Sequence, residues 1–369
     1  MIQKNHLRGL KTVKIAVLGA GNGGCAVAAD MSLRGHEVTL IKTSGSLHNS
    51  NFKYLLEHSG KISLIENSEI KTTFIKNVTT DISMLSECEV VIVYIQSIYH
   101  ENLIKRMVPY LKSGQILMFN PGYISTAFAL KHGVNKDVIL AEAESSFIDC
   151  RITQPGMVKV SFRNVNNPIG IFPSSKKEQA AEKLDKIGFP FSYISSVAEA
   201  GLHNPNLIVH TVGAIMSIPR IEKTHGDYVM YHEVFTPSVW NILEKLDGEK
   251  MDVLEKMGFE RLPYAEACKM RNSPDDRRSA KEVFMWYAAM PSAVAGPTVV
   301  DSRYITEDVP QGLVMLESLG KHLGVKTPMT TSLIEIASAA LRRDLREKGR
   351  TVESLGEENL KAILNDSKY

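Results

Sequence analysis

The stretch that most restricts the fold is residues 13–42, which reads as strand, glycine turn, helix and strand. Val13-Lys14-Ile15-Ala16-Val17-Leu18 is a short β-rich run, and Gly19-Ala20-Gly21-Asn22-Gly23-Gly24 follows at once. Residues 25–33 are small and apolar enough for a packed helix, and 37–41 form a second strand. Gly19, Gly21 and Gly24 fall on the three glycine positions of the dinucleotide-binding fingerprint. The first makes the tight turn, the second lets backbone approach a pyrophosphate, and the third lets helix and strand pack closely. The pyrophosphate would lie on the helix N-terminus, where free N–H groups and the helix dipole favour an anion. A glycine turn alone is also a structural device. The strand before it and the helix and strand after it supply the context for a nucleotide cofactor, with Gly19, Gly21, Asn22, Gly23 and Gly24 as its binding residues.

The same alternation continues through the first half. Residues 89–95 are a near-continuous apolar run, as expected for a parallel strand buried on both faces. Residues 115–119 and 138–141 are two more, with helical spacing between them at 102–111. Residues 157–162 and 169–172 look like further strands. This pattern predicts a doubly wound α/β domain over 1–194. Ligands of such sheets bind beyond the carboxyl ends of the strands. That singles out Gln96, Asn120 and Glu144, each just past a strand, with Gln96 a cofactor candidate.

From about residue 195 glycine turns thin out and long helical patterns take over, at 206–218, 237–246, 312–323 and 332–345. An all-helical second domain over 195–369 is the expectation. A tail of 351–354 reads as a helix cap, followed by Leu360 and Ile363 as a small apolar face. The length of 369 residues suits two domains.

Composition removes several classes. A net charge of +2 gives no reason to expect nucleic acid or an acidic membrane as partner. Cys25, Cys88, Cys150 and Cys268 are scattered with no CxxC pair, which argues against zinc and against a disulfide framework and fits a reducing, cytoplasmic compartment. The first residues lack an apolar signal core, and no apolar run reaches the roughly 20 residues that span a bilayer.

Two constellations in the second half can carry chemistry. Asn204-Pro205 looks like a helix start. From there Asn206, His210, Gly213 and Ser217 share one helical face, a polar or small stripe on a mostly aliphatic helix. His210 is then either an acid/base or a core histidine bonded to a carbonyl or to Asn206, with His203 a second candidate. Farther on, residues 303–310 hold Arg303 and Asp308. Arg303 can clamp a carboxylate, and Asp308 can hold a histidine in one tautomer. The plain alternatives are a solvated arginine and a helix N-cap. At the end of the second strand, where a site for NAD usually has Asp or Glu, stand Lys42-Thr43-Ser44. Lys42 and Thr43 suit the extra phosphate of NADP(H), so NADP(H) is preferred over NAD(H), with Lys42 simply facing solvent as the alternative.

Together these pieces resemble the opine dehydrogenase family, the octopine and nopaline dehydrogenase group. Residues 301–313, with Arg303-Tyr304-Ile305-Thr306-Glu307-Asp308-Val309-Pro310, are similar to the family's RY-x-x-ED-[VI]-P segment and its following helix. Residues 204–210 resemble its N-x-N-x-x-x-H segment, although Thr211 stands where the family usually has Pro. Residues 349–356 also look familial. The resemblance implies a Rossmann-like domain followed by a helical one, with the active site in the interdomain cleft. It implies that His210 is the acid/base, Asp308 its partner, and Arg303 the clamp for a keto-acid carboxylate. It places Glu144, Ser145 and Cys150 near the substrates, with a small buried hydrophobe as the other reading of Cys150.

The activity so implied is NAD(P)H-dependent reductive condensation of an α-keto acid with an amino acid, giving a secondary amine dicarboxylate. Its partners are small molecules, and an apolar helical domain suits a homodimer. Two rivals stand beside it. One is a 2-keto or 3-hydroxy acid reductase of the same fold group, many of which place a lysine on the interdomain helix, where 207–218 has none. The other is a non-catalytic NAD(P)-binding regulator.

Overall fold

The computed structural model describes residues 12–290 and 295–366. Two compact units divide the chain, Met1–Val197 and Ala198–Tyr369. The division falls three residues beyond the boundary expected from the sequence, and Ile194, whose amide donates to the Ile169 carbonyl, belongs to the first unit in both.

The first unit is built on an eight-stranded sheet. Its strands are β1 (Lys14–Leu18), β2 (Glu37–Ile41), and, beyond the hairpin β3 (Lys61–Glu66) and β4 (Glu69–Phe74), β5 (Asn77–Thr79), β6 (Val90–Val93), β7 (Ile116–Phe119) and β8 (Ile139–Ala143). After β9 (Ile148–Gln154) and β10 (Met157–Arg163) come β11 (Asn167–Phe172) and β12 (Phe191–Tyr193). The order is β12-β11-β8-β7-β6-β1-β2-β5. Every pair from β8 to β5 is parallel, and β11 runs antiparallel to β8. All four residues of β6 and of β7 are buried, as their continuous apolar runs require. The chain leaves β1 for β2 on one side and returns to β6 on the other. The carboxyl end of β1 is therefore the topological switch point, where ligands of open α/β sheets bind.

The expected strand at 157–162 is present but belongs elsewhere. It forms β10 of a separate four-stranded sheet, β4-β3-β10-β9. Helix α1 (Asn22–Leu33) packs against β1 and β2 of the large sheet and against β3, β4 and β9 of the small one. That double burial explains why α1 is small and apolar on nearly every side. The ion pair from Arg163 to Asp30 (2.9 Å) fastens the small sheet to this helix, and that from Arg163 to Glu66 (2.7 Å) joins β10 to β3.

The second unit is helical. Its catalytic candidate lies on the helix Pro205–Met216, capped by the Asn204 side chain, which accepts from the Asn206 amide. The longest helix runs Pro237–Met257, well past the expected stop at 246, and ends at Gly258, whose φ of 97° is a left-handed C-cap. Its Glu249 is buried and accepts from the amides of Met329 (2.7 Å) and Thr330 (2.9 Å), so it holds the start of the helix Pro328–Leu341. The pattern at 312–323 opens not as an α-helix but as a wide π turn, Val309–Leu313, before the helix Val314–Leu323. Among the described residues no helix is long and apolar enough to cross a membrane.

Candidate active site

At the switch point the glycines separate into two kinds. Gly19 has φ +114°, and a Cβ there would lie 2.2 Å from the Tyr94 carbonyl oxygen. A Cβ on Gly24 would lie 1.8 Å from the Gly19 carbonyl oxygen. Both are glycine because the protein itself leaves no room. One on Gly23 would press the Tyr94 ring at 2.9 Å. Gly21 differs. Its φ of −87° suits any residue, and a Cβ would meet only the His48 ring, at 3.6 Å. Close packing gives no reason for glycine at 21, whereas a pyrophosphate drawn against that backbone does. The first intrahelical bond of α1 is made by Cys25, which donates to Gly21, so the amides of residues 22–24 are free of intrahelical partners, as an anion site at a helix N-terminus requires.

Asn120 adds an independent sign. It follows β7, is 2 % exposed, and neither atom of its side-chain amide has a hydrogen-bond partner. A buried unsatisfied amide costs about 1–3 kcal/mol, a cost that a polar ligand at the carboxyl edge of the sheet would remove. The residues present therefore fit a dinucleotide. Gln96 stands just beyond β6, half-buried at the start of the short turn Ser97–Tyr99.

Other expected cofactor and substrate residues have different occupations. The Asn22 side chain accepts from the Ile152 amide at 2.8 Å and ties α1 to β9. Lys42 does not face solvent: it is 5 % exposed, and its ammonium donates to the Ser44 carbonyl (2.6 Å), the Ser44 hydroxyl (3.2 Å) and the Gly45 carbonyl (3.2 Å). All three of its protons are directed into its own loop. Thr43 beside it is half-buried. Cys150 is a core residue of β9, and burial pushes its thiol up to about 12, so it is a small hydrophobe rather than a pocket nucleophile. Glu144 follows β8 and is buried, and Ser145 next to it is half-buried.

The second unit brings its two expected residues together. His210 Nδ1 lies 2.8 Å from Asp308 Oδ2. The Asp308 side chain is 1 % exposed and that of His210 11 %. Asp308 makes no cap bond to the turn that follows it, which removes the plain N-cap reading. With Nδ1 engaged by a carboxylate, Nε2 is left for a substrate proton. The His210 ring also packs on Tyr304 (centroids 4.2 Å) and meets the edge of Tyr231 (6.4 Å). Both tyrosines went unremarked in the sequence, although Tyr304 stands inside the RY segment. Arg303, in the short helix Arg303–Thr306, has a 55 % exposed side chain with Nε 3.7 Å from Glu307.

The turn that follows Asp308 is braced by Lys348 and Arg350. Arg350 is 2 % exposed, donates its backbone amide to the Pro310 carbonyl (2.8 Å), and donates from Nε to Gln311 Oε1 (3.1 Å). Gln311 in turn donates to the Lys348 carbonyl at 3.0 Å. The second histidine candidate is unsuited to proton transfer. His203 is 3 % exposed, neither ring nitrogen has a partner, and burial with Lys250 and Arg271 nearby holds it well below the usual histidine range.

A glycine cradle at the switch point of a Rossmann-type sheet, and a buried His–Asp pair on a helical unit, define the class of two-unit NAD(P)-binding dehydrogenases. Residues 193–341 match the family model described as NAD/NADP octopine/nopaline dehydrogenase, alpha-helical domain, and residues 15–165 match that of ketopantoate reductase PanE/ApbA. An opine dehydrogenase of Arthrobacter sp. (strain 1C) is 26 % identical over 94 % of this chain and 96 % of its own. A solved octopine dehydrogenase with NADH and L-arginine has a TM-score of 0.74 at 17 % identity, covering 97 % of this chain and 99 % of that one. A yersinopine dehydrogenase with NADP+ bound has a TM-score of 0.70 at 16 % identity, covering 97 % and 99 %. These likenesses support the opine dehydrogenase family, and the fold is the Rossmann-like domain followed by a helical domain that the sequence led us to expect.

Proposed function

We propose that this chain is an opine dehydrogenase in which His210 and Asp308 form the acid/base pair. The observation that carries the reading is the 2.8 Å contact between His210 Nδ1 and a carboxylate that is 1 % exposed. The reaction joins an α-keto acid to the amino group of an amino acid with loss of water, and then reduces the C=N bond to a secondary amine. When bound, the reduced nicotinamide supplies the hydride. His210 Nε2 takes the proton that the donor's ammonium must lose and returns one to the departing hydroxyl. Asp308 holds the ring in one tautomer and stabilises its cation. Arg303, with its exposed guanidinium, clamps the keto-acid carboxylate. Glu144 and Ser145 contribute to substrate binding. The reaction requires both units, since the first supplies the dinucleotide cradle and the second the acid/base pair.

For the cofactor we favour NADPH. Residues 42–46 read Lys-Thr-Ser-Gly-Ser, so no carboxylate stands at the end of β2 to repel a 2′-phosphate or to bond the ribose hydroxyls. Lys42 itself is tied into the loop, so Thr43 and the loop amides are the direct contacts in this reading and Lys42 contributes positive charge from behind.

The test is oxidation of NADPH and of NADH by the purified chain with pyruvate and a mixture of amino acids, with mass spectrometry of the product. Oxidation that needs both a keto acid and an amine supports the reading, and kcat/KM for each cofactor decides the preference. Oxidation with the keto acid alone favours a 2-keto acid reductase. No turnover with any pair, despite cofactor binding, favours a regulator. The helix Pro205–Met216 carries no lysine, which weighs against the lysine-dependent reductases.

A further inference from the structure

Gly21 is the glycine of the turn that the protein's own packing does not require, and the group across the gap from it is an imidazole. Both Cδ2 and Nε2 of His48 lie 3.6 Å from the position a Gly21 Cβ would take. His48 immediately precedes α2 (Asn49–Glu57) and is held at φ 56°, ψ 29°, a left-handed conformation that a residue other than glycine rarely adopts. Its side chain is exposed and makes no hydrogen bond among the described residues. Lys42, the cation of this loop, directs its ammonium to Ser44 and Gly45 instead.

We propose that His48 is a cofactor-binding residue, whose Nε2 donates to an oxygen of the pyrophosphate seated against Gly21. This rests on the reading of the glycine turn as an NAD(P) site. An anion close enough to the Gly21 backbone to need a missing Cβ is within contact range of Nε2. The ring lies beside the turn, with Cδ2 and Nε2 both 3.6 Å from the place of a Gly21 Cβ. A charge-assisted contact at an exposed rim is worth less than a buried one.

Cofactor affinity without substrate tests it, by titrating NADPH and NADH into the full chain and following nicotinamide fluorescence. His48→Ala should weaken both cofactors by the same factor, roughly three- to tenfold. His48→Asn, which tolerates the left-handed backbone, should weaken them equally, and His48→Arg should restore binding. Unchanged affinity in both the Ala and the Asn variants, with an unchanged melting temperature, overturns the assignment. A loss confined to NADPH overturns it as well, because the ring would then serve the 2′-phosphate and not the shared pyrophosphate. Failure of the unaltered chain to bind either cofactor would instead overturn the reading of the glycine turn.

Discussion

Asp308→Asn is the perturbation that isolates charge from shape in the His–Asp pair. Asn fits the same space, and its Oδ1 can accept from His210 Nδ1–H, so the 2.8 Å contact survives as a neutral hydrogen bond. The Asp308 side chain makes no cap bond to the turn after it, so no capping energy is lost. What disappears is the attraction between a carboxylate and the imidazolium that forms when His210 takes a proton. Two unit charges about 4 Å apart at an effective dielectric of about 20 attract by about 4 kcal/mol, or about three decades in rate. The full value applies only if the charge develops fully, so kcat should fall by about 10²–10⁴. Cofactor affinity should hold, because the cradle lies in the other unit. The assay measures kcat and KM for the keto acid and the amine, the NADPH dissociation constant and the melting temperature, for His210→Ala, Asp308→Asn and the double variant. Losses should be far from additive, since the pair acts as one unit. A kcat within about threefold of the unaltered chain, with fold and cofactor binding intact, would refute the dyad.

Other substitutions probe the remaining assignments. Gly21→Ala should leave stability within about 0.5 kcal/mol, because nothing stands nearer than 3.6 Å, yet weaken cofactor binding measured by titration. Gly24→Ala, pressing the Gly19 carbonyl, should instead lower stability by about 1–3 kcal/mol in denaturant unfolding. Arg303→Lys should raise KM for the keto acid about tenfold and leave KM for the amine nearly unchanged, since Lys keeps the charge and loses the fork. His203 gives a pH signature. Its folded value is depressed by burial, with Lys250 and Arg271 adding to the effect, so below the unfolded value of about 6.5 the unfolded chain binds the proton first. Stability from this group is complete above that pH and is lost on acidification, by up to about 1.4 kcal/mol per pH unit. His203→Gln should flatten that part of the stability profile, and an unchanged slope between neutral pH and the mid-fives would count against a buried neutral ring.

What could be read from sequence followed the range of the interactions. The central strands β6, β7 and β8 are visible because burial on both faces demands an unbroken apolar run, and that demand is local. The hairpin of β3 and β4 was missed because it is half exposed, with Glu and Lys in both strands. The partner β10 lies far along the chain, so the small sheet has no local signature. His210 and Asp308 are 98 residues apart, and only the likeness of two segments to one family joined them before the contact was seen. Asn22 and Cys150 sit in motif positions, but whether a side chain faces a ligand or a neighbouring strand depends on what folds back over it. In this chain β9 takes the Asn22 side chain, and Cys150, on β9 itself, turns into the core.

The surroundings of Asp308 argue that its position is kept for something other than stability. A carboxylate that is 1 % exposed carries a desolvation penalty of several kcal/mol, and a single ion pair often fails to repay it. The backbone beside it is a π turn, a rare geometry that is frequent at functional sites. Two locally unfavourable features therefore coincide, and the chain maintains both. Arg350, itself nearly inaccessible, bonds the Pro310 carbonyl and Gln311, and Gln311 bonds Lys348, so the segment after the helix Pro328–Leu341 serves as a brace for that turn. Tyr304 then packs against the face of the imidazole. A structural histidine needs none of this, because a backbone carbonyl would satisfy its Nδ1 at lower cost. An imidazole that must gain and lose a proton in one fixed orientation needs a charged partner, and a turn rigid enough to keep that partner in place.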